Sequence, residues 1–143
     1  MRLAQMYELA DKYIIIVPQA AFCHDVFRIK QYVMKDLDWS NLSFGYMPTD
    51  YNVRCCYRNG KWGEIEVCSD EYIKLHMAAT SLHYGQEAFE GLKAYRCPDG
   101  KVRVFRMEEN AARLQSTCRG IMMPEVPTEL FCEMVKKVVR LNQ

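Results

Sequence analysis

The sequence predicts an α+β fold, with antiparallel hairpins early in the chain and helices packed against them. Three observations carry this. Asn59-Gly60 separates two strand-like segments, Pro98-Asp99-Gly100 separates two more, and two helical stripes of apolar residues fill the chain from position 108 onward. The 143 residues, half of them hydrophobic, suit one domain able to bury a core.

The elements follow in order. Residues 1–12 suit a short amphipathic helix, residues 13–17 a strand, and Pro18 a break. Met34-Lys35-Asp36-Leu37-Asp38-Trp39-Ser40 has the look of an ordinary amino terminus, so Met34 is expected to be the natural start and residues 1–33 an extension. Residues 52–58 form a strand, Asn59-Gly60 a type I′ turn, and residues 61–67 the returning strand. Residues 92–96 and 102–106 flank Cys97-Pro98-Asp99-Gly100 as a second hairpin, in which Val102 and Val104 alternate with Arg103 and Phe105. A helix over residues 108–120 sets Ala111, Leu114 and Cys118 on one face, with Gly120 as C-cap. Thr128 is expected to N-cap the last helix, whose buried stripe is Leu130, Phe131, Met134, Val135 and Val138. That stripe meets Gln143 without a glycine stop, which suggests that the natural chain continues.

Composition narrows the function. The net charge of +1 comes without any Lys/Arg block, so neither nucleic acid nor an anionic membrane is an expected partner. The longest aliphatic run, Ile14-Ile15-Ile16-Val17, is far short of the roughly 20 residues that cross a bilayer. Glu8, Asp11 and Lys12 interrupt any signal-peptide core. Seven cysteines, an odd number without Cys-x-x-Cys, and three histidines without ligand spacing predict reduced thiols in a cytoplasmic protein and no metal site.

One segment stands apart: Leu82-His83-Tyr84-Gly85-Gln86-Glu87-Ala88-Phe89-Glu90-Gly91-Leu92-Lys93-Ala94-Tyr95. Its two glycines and clustered aromatics fit neither a simple helix nor a simple strand. On the residues alone, Phe89 reads as a core aromatic and Gly91 as a turn residue free to take positive φ. Arg113 lies at the edge of a helix's apolar face, where it either snorkels outward or turns its planar fork onto a phosphate. His83 and Glu90 read better as a hydrogen-bonded buried histidine and a turn-fixing glutamate than as an acid/base pair. Cys97 and Cys118 read as structural rather than nucleophilic. Lys93, on a strand between Leu92 and Ala94, belongs to a solvated face.

This segment resembles the signature of branched-chain amino acid aminotransferases, which are fold-type IV pyridoxal phosphate (PLP) enzymes. Phe89-Glu90-Gly91-Leu92-Lys93-Ala94-Tyr95 sharpens the likeness, and Phe105-Arg106 followed by Arg113-Leu114 extends it. Trp39-Ser40-Asn41-Leu42-Ser43-Phe44-Gly45, Thr49-Asp50-Tyr51 and Lys61-Trp62-Gly63-Glu64 are similar to the longer amino-terminal segment of the subgroup that includes the animal enzymes. The resemblance covers residues 34–143, implying the small α+β domain of such an enzyme, with an antiparallel sheet packed by helices. It implies that Arg113 binds the cofactor phosphate. It also implies that Phe89 lines the pocket for the substrate side chain, that Gly91 lets the backbone approach substrate, and that Tyr84 contributes to the pocket of the other subunit of a homodimer. Such a pocket gains about 0.8 kcal/mol per buried methylene and separates leucine, isoleucine and valine only modestly. The implied reaction transfers their amino group to 2-oxoglutarate. The family's Schiff-base lysine belongs to a second, larger domain, so no catalytic residue is assigned here and the 143-residue chain alone is expected to be inactive. The alternatives are another fold-type IV enzyme, such as a D-amino acid aminotransferase or an aminodeoxychorismate lyase, and a non-catalytic interaction module.

Overall fold

The structure, a computed structural model, describes residues 12–16 and 48–143. The helix expected over residues 1–12 (apart from Lys12), the break at Pro18 and the segment opening at Met34 lie outside the described residues. The fold is α+β, as expected. Among the described residues, antiparallel strands form two sheets, and helices pack beside them.

In the larger sheet, β2 (Asn52–Arg58) pairs on one side with β1 (Lys12–Ile16). The other side takes β3 (Lys61–Trp62) and β4 (Glu66–Cys68). The turn between β2 and β3 has Asn59 at φ 52° and Gly60 at φ 79°, the two left-handed residues that a type I′ hairpin demands. The single returning strand expected over 61–67 is broken in two. Tyr57 pairs with Trp62, and an unbroken register would set Arg54 opposite Ile65; it faces Glu66 instead. One extra residue is therefore bulged out beside Gly63, whose N–H still donates to the Cys56 carbonyl at 2.8 Å. The small sheet pairs β5 (Ala94–Arg96) with β6 (Val102–Val104) across the Pro98-Asp99-Gly100 turn. Both strands are shorter than expected: Leu92 packs inward on the core before β5 begins, and Arg106 leaves the β region at φ 48° to start the next helix.

The helices are α1 (Thr80–Tyr84), α2 (Met107–Gly120) and α3 (Thr128–Leu141). Helix α3 is the centre of the core because both of its flanks are apolar. Met134 and Val138 meet Val53 and Cys55 of β2, while Phe131, Cys132 and Val135 meet Met107, Ala111, Leu114 and Cys118 of α2. The expected stripe is buried except for half-buried Leu130, and Cys132 joins it. Asn142 fixes the end of α3 to the start of β2: its side chain accepts from Tyr51 N–H at 3.1 Å and donates to Tyr51 O at 3.0 Å.

Both expected caps differ. Pro127, not Thr128, is the N-cap of α3, and the Thr128 hydroxyl accepts from Gln115 at 3.3 Å instead. Gly120 stays helical, and the chain closes α2 two residues later. Met123 N–H donates to Cys118 O at 2.8 Å and Met122 N–H to Arg119 O at 3.2 Å, the paired bonds of a Schellman motif. The left-handed position falls on Met122, at φ 56°. A side chain there costs about 1 kcal/mol relative to glycine, and Met122 is exposed, with little packing to lose. Met122→Gly is therefore expected to raise the urea midpoint by the equivalent of about 1 kcal/mol; a lowered midpoint would show that the methionine side chain contributes more than the strain costs.

The six described cysteines form no disulfide with one another. Burial pushes the Cys55, Cys118 and Cys132 thiols up, which suits structural roles. Among the described residues there is no metal-holding cluster, and no helix is long and apolar enough to cross a membrane.

Candidate active-site edge

Helix α1 ends at Gly85, whose left-handed φ of 59° turns the chain and lets its N–H reach Thr80 O. Thus the positive φ expected at Gly91 falls on Gly85 within this stretch. From there the chain is irregular but keeps an inward and outward alternation. Ala88 and Leu92 pack on the core, Glu90 points inward between them, and Phe89 points out. Gln86 ties this loop to the α2–α3 connection, donating to Ile121 O at 2.9 Å.

Glu90 meets α2 where Asn110 and Arg113, three residues apart, share a face. Its side chain is only 5% exposed. Arg113 Nε donates to Glu90 Oε2 at 2.8 Å and Nη2 to Oε1, making a fork-to-fork pair. Asn110 Nδ2 donates to Glu90 Oε1 at 2.8 Å and to Gly91 O at 3.1 Å. Burial alone pushes the Glu90 carboxyl up, but the hydrogen bonds from Arg113 and Asn110 and the Arg113 charge outweigh it, leaving the group below its ordinary 4.5. A depressed carboxyl adds stability above its unfolded value and loses it as pH falls through its folded value. Stability is accordingly expected to fall on acidification below about pH 4.5, and to fall less steeply in Glu90→Gln, as read from urea midpoints across pH. Equal slopes would show that Glu90 titrates alike folded and unfolded.

Arg113 itself is 67% exposed. It borders a shallow open hollow lined by Phe105, Arg106, Glu109, Asn110 and Ala112, where Arg106 pairs with Glu109 at 3.3 Å. Glu90 uses one N–H on Nε and one on Nη2, which leaves three of the five guanidinium N–H groups facing away from the pair.

Of the four residues singled out from the sequence, the structure joins two. Gly91 and Arg113 are linked through Asn110 and Glu90. Tyr84 (73% exposed) and Phe89 (76%) lie on the surface of the described residues, and neither lines the hollow beside Arg113. Phe89 is therefore no core aromatic. His83 and Glu90 have different partners: His83 is exposed and bonded through Nε2 to Met77 O at 2.6 Å, so it is not the buried histidine expected. Lys93 is exposed and precedes β5. Sequence reasoning passed over Asn110, and read Glu90 only as a turn residue. The available signal was a glutamate between two inward apolar residues and an Asn/Arg pair at helical spacing.

No family model matches the chain. Curated relatives do. A branched-chain-amino-acid aminotransferase of Haemophilus influenzae is 51% identical over 110 residues, covering 77% of this chain and 32% of that protein. One from Helicobacter pylori is 44% identical over 110 residues, with the same coverage. One from Mycolicibacterium smegmatis is 43% identical over 105 residues, covering 73% of this chain and 28% of that protein. The chain belongs to the branched-chain aminotransferase family. It spans about a third of the length of these relatives. An aminotransferase of Emericella nidulans, 38% identical over 103 residues, lies further out.

Membership in the branched-chain aminotransferase family implies PLP, and the Arg113 cluster fits its phosphate. An exposed guanidinium, anchored from behind by a buried carboxylate and free along its outer edge, is a suitable donor set for a phosphate dianion.

Proposed function

We propose that this chain forms the amino-terminal part of a PLP-dependent transaminase that moves the amino group of leucine, isoleucine or valine to 2-oxoglutarate. The observation that carries this reading is the 51% identity over 110 residues to a branched-chain-amino-acid aminotransferase. Residues 34–143 would be the small domain and residues 1–33 an extension, although β1 pairs into the sheet from within that extension. In the whole enzyme, a cytoplasmic homodimer, Arg113 holds the cofactor phosphate through its outward N–H edge. Phe89 lines the pocket for the aliphatic side chain of the substrate, Tyr84 contributes to the pocket of the other subunit, and Gly91, with no Cβ, allows the backbone close to the substrate. When bound, PLP supplies the electron sink that lets nitrogen leave one carbon skeleton for another.

The exposed rings support this assignment over a purely structural one, because a surface Phe and Tyr with no core role are suited to closing over a ligand. The test is glutamate formation by the complete protein from 2-oxoglutarate and each of several amino donors. Leucine, isoleucine and valine are expected to serve within roughly tenfold of one another, and D-alanine to fail. Turnover with D-alanine, or pyruvate release from aminodeoxychorismate, would move the chain to another fold-type IV activity. The 143-residue chain assayed alone is expected to form no glutamate, since it matches only a third of the relatives' length; turnover by it would show that this third suffices.

A further inference from the structure

We infer that Glu90 is a positioning residue for Arg113, fixing the plane of its guanidinium so that the free edge faces the cofactor phosphate. This rests on the reading of Arg113 as the phosphate ligand. A long exposed arginine carries about 2 kcal/mol of rotamer entropy, which an unanchored side chain would lose on binding. Here the loss is met at folding, because two N–H groups are held by one carboxylate.

The contrast with Arg103 shows what is special about the pair. Arg103 also grips a carboxylate with two bonds, at 2.8 and 2.7 Å, but Asp99 is 48% exposed and both partners can exchange with water. Glu90 is 5% exposed, and Asn110 holds the same carboxylate from the preceding helical turn. A buried carboxylate stripped of its cation is costly, so the pair has one stable arrangement. Glu90 also lies between Phe89 and Gly91. The carboxylate that aims Arg113 therefore fixes the loop bearing the substrate-facing residues, and cofactor phosphate and substrate pocket share one anchor.

The test compares PLP with pyridoxal, which has the same ring and no phosphate, as ligands of the complete protein. Glu90→Gln places an amide against the Arg113 donors. It is expected to weaken PLP roughly tenfold while leaving pyridoxal affinity unchanged. Arg113→Gln is expected to weaken PLP at least as much, and the double variant no more than Arg113→Gln alone. General loosening of the fold would weaken both ligands together, and that result, or an unchanged PLP affinity in Glu90→Gln, would overturn the inference while Arg113→Gln still selects against PLP. If Arg113→Gln leaves the ratio of the two affinities unchanged, the phosphate reading of Arg113 fails and the inference with it. A readout without substitutions covers a variant that does not fold. The Arg113 Nε–H resonance is expected to stand apart from free arginine at neutral pH and to join it as Glu90 protonates; a free-arginine shift at neutral pH would overturn the anchor.

Discussion

Met134→Ala is expected to cost about 2–5 kcal/mol of folding stability. Met134 is fully buried in α3, where it meets Val53 and Cys55 of β2, with half-buried Trp62, Ile65 and Leu130 around them. Truncation removes apolar contact and leaves a cavity between a sheet and a helix, and neither can collapse freely into it. The Asn142 clamp on Tyr51 ties the end of the helix to the start of the strand. Against a total of about 5–15 kcal/mol for an ordinary domain, such a loss would shift the urea midpoint severely. Met134→Leu, which nearly conserves volume, is expected to cost under about 1.5 kcal/mol. Equal midpoints for the alanine variant and the parent would mean that α3 does not rest on β2.

Phe89→Ala is expected to have the opposite profile. With its ring 76% exposed, Phe89 contributes little to the fold, and the stability change should stay within about 0.5 kcal/mol. If the ring lines the substrate pocket, its loss removes apolar contact with the leucine side chain, and kcat/KM for leucine falls by roughly 10- to 100-fold. Leucine should lose more than alanine, because only the longer side chain reaches the missing ring. Unfolding of Phe89→Ala would return the residue to the core, and an unchanged kcat/KM for leucine would remove it from the pocket.

Local signals in the sequence were good guides where one residue type decides the conformation. Asn59-Gly60 and Pro98-Asp99-Gly100 formed the expected turns, with Gly60 at φ 79° and Gly100 at φ 77°. The two helical stripes were legible because periodicity at 3.6 needs no partner to be read. Boundaries set by tertiary contacts were not. Gly120 looked like a cap, yet the Schellman closure fell on Met122, where the chain must turn to bring Val126 into the core. The break in the returning strand was not legible either, because a bulge leaves no compositional mark beyond Gly63 itself. Arg113 was singled out through the family likeness, and the curated relatives bear out that likeness for the family as a whole. Its anchor was not, since Glu90 and Asn110 are twenty residues apart and only folding brings them together. Phe89 shows the limit of hydrophobicity as a guide: the residue is apolar, lies beside Ala88 and Leu92, and still points away from the core.

The central claim is that the Arg113 cluster and the exposed Phe89 ring form one edge of a transaminase site, with the exposed Tyr84 ring serving the pocket of the other subunit. The most direct measurement is an experimental structure of the complete protein with PLP and a non-reacting leucine analogue bound. The account predicts a phosphate oxygen about 3 Å from the outward N–H groups of Arg113, the Glu90 pair intact behind it, and the isobutyl group against Phe89. A phosphate held elsewhere, with Arg113 still facing water, would contradict it.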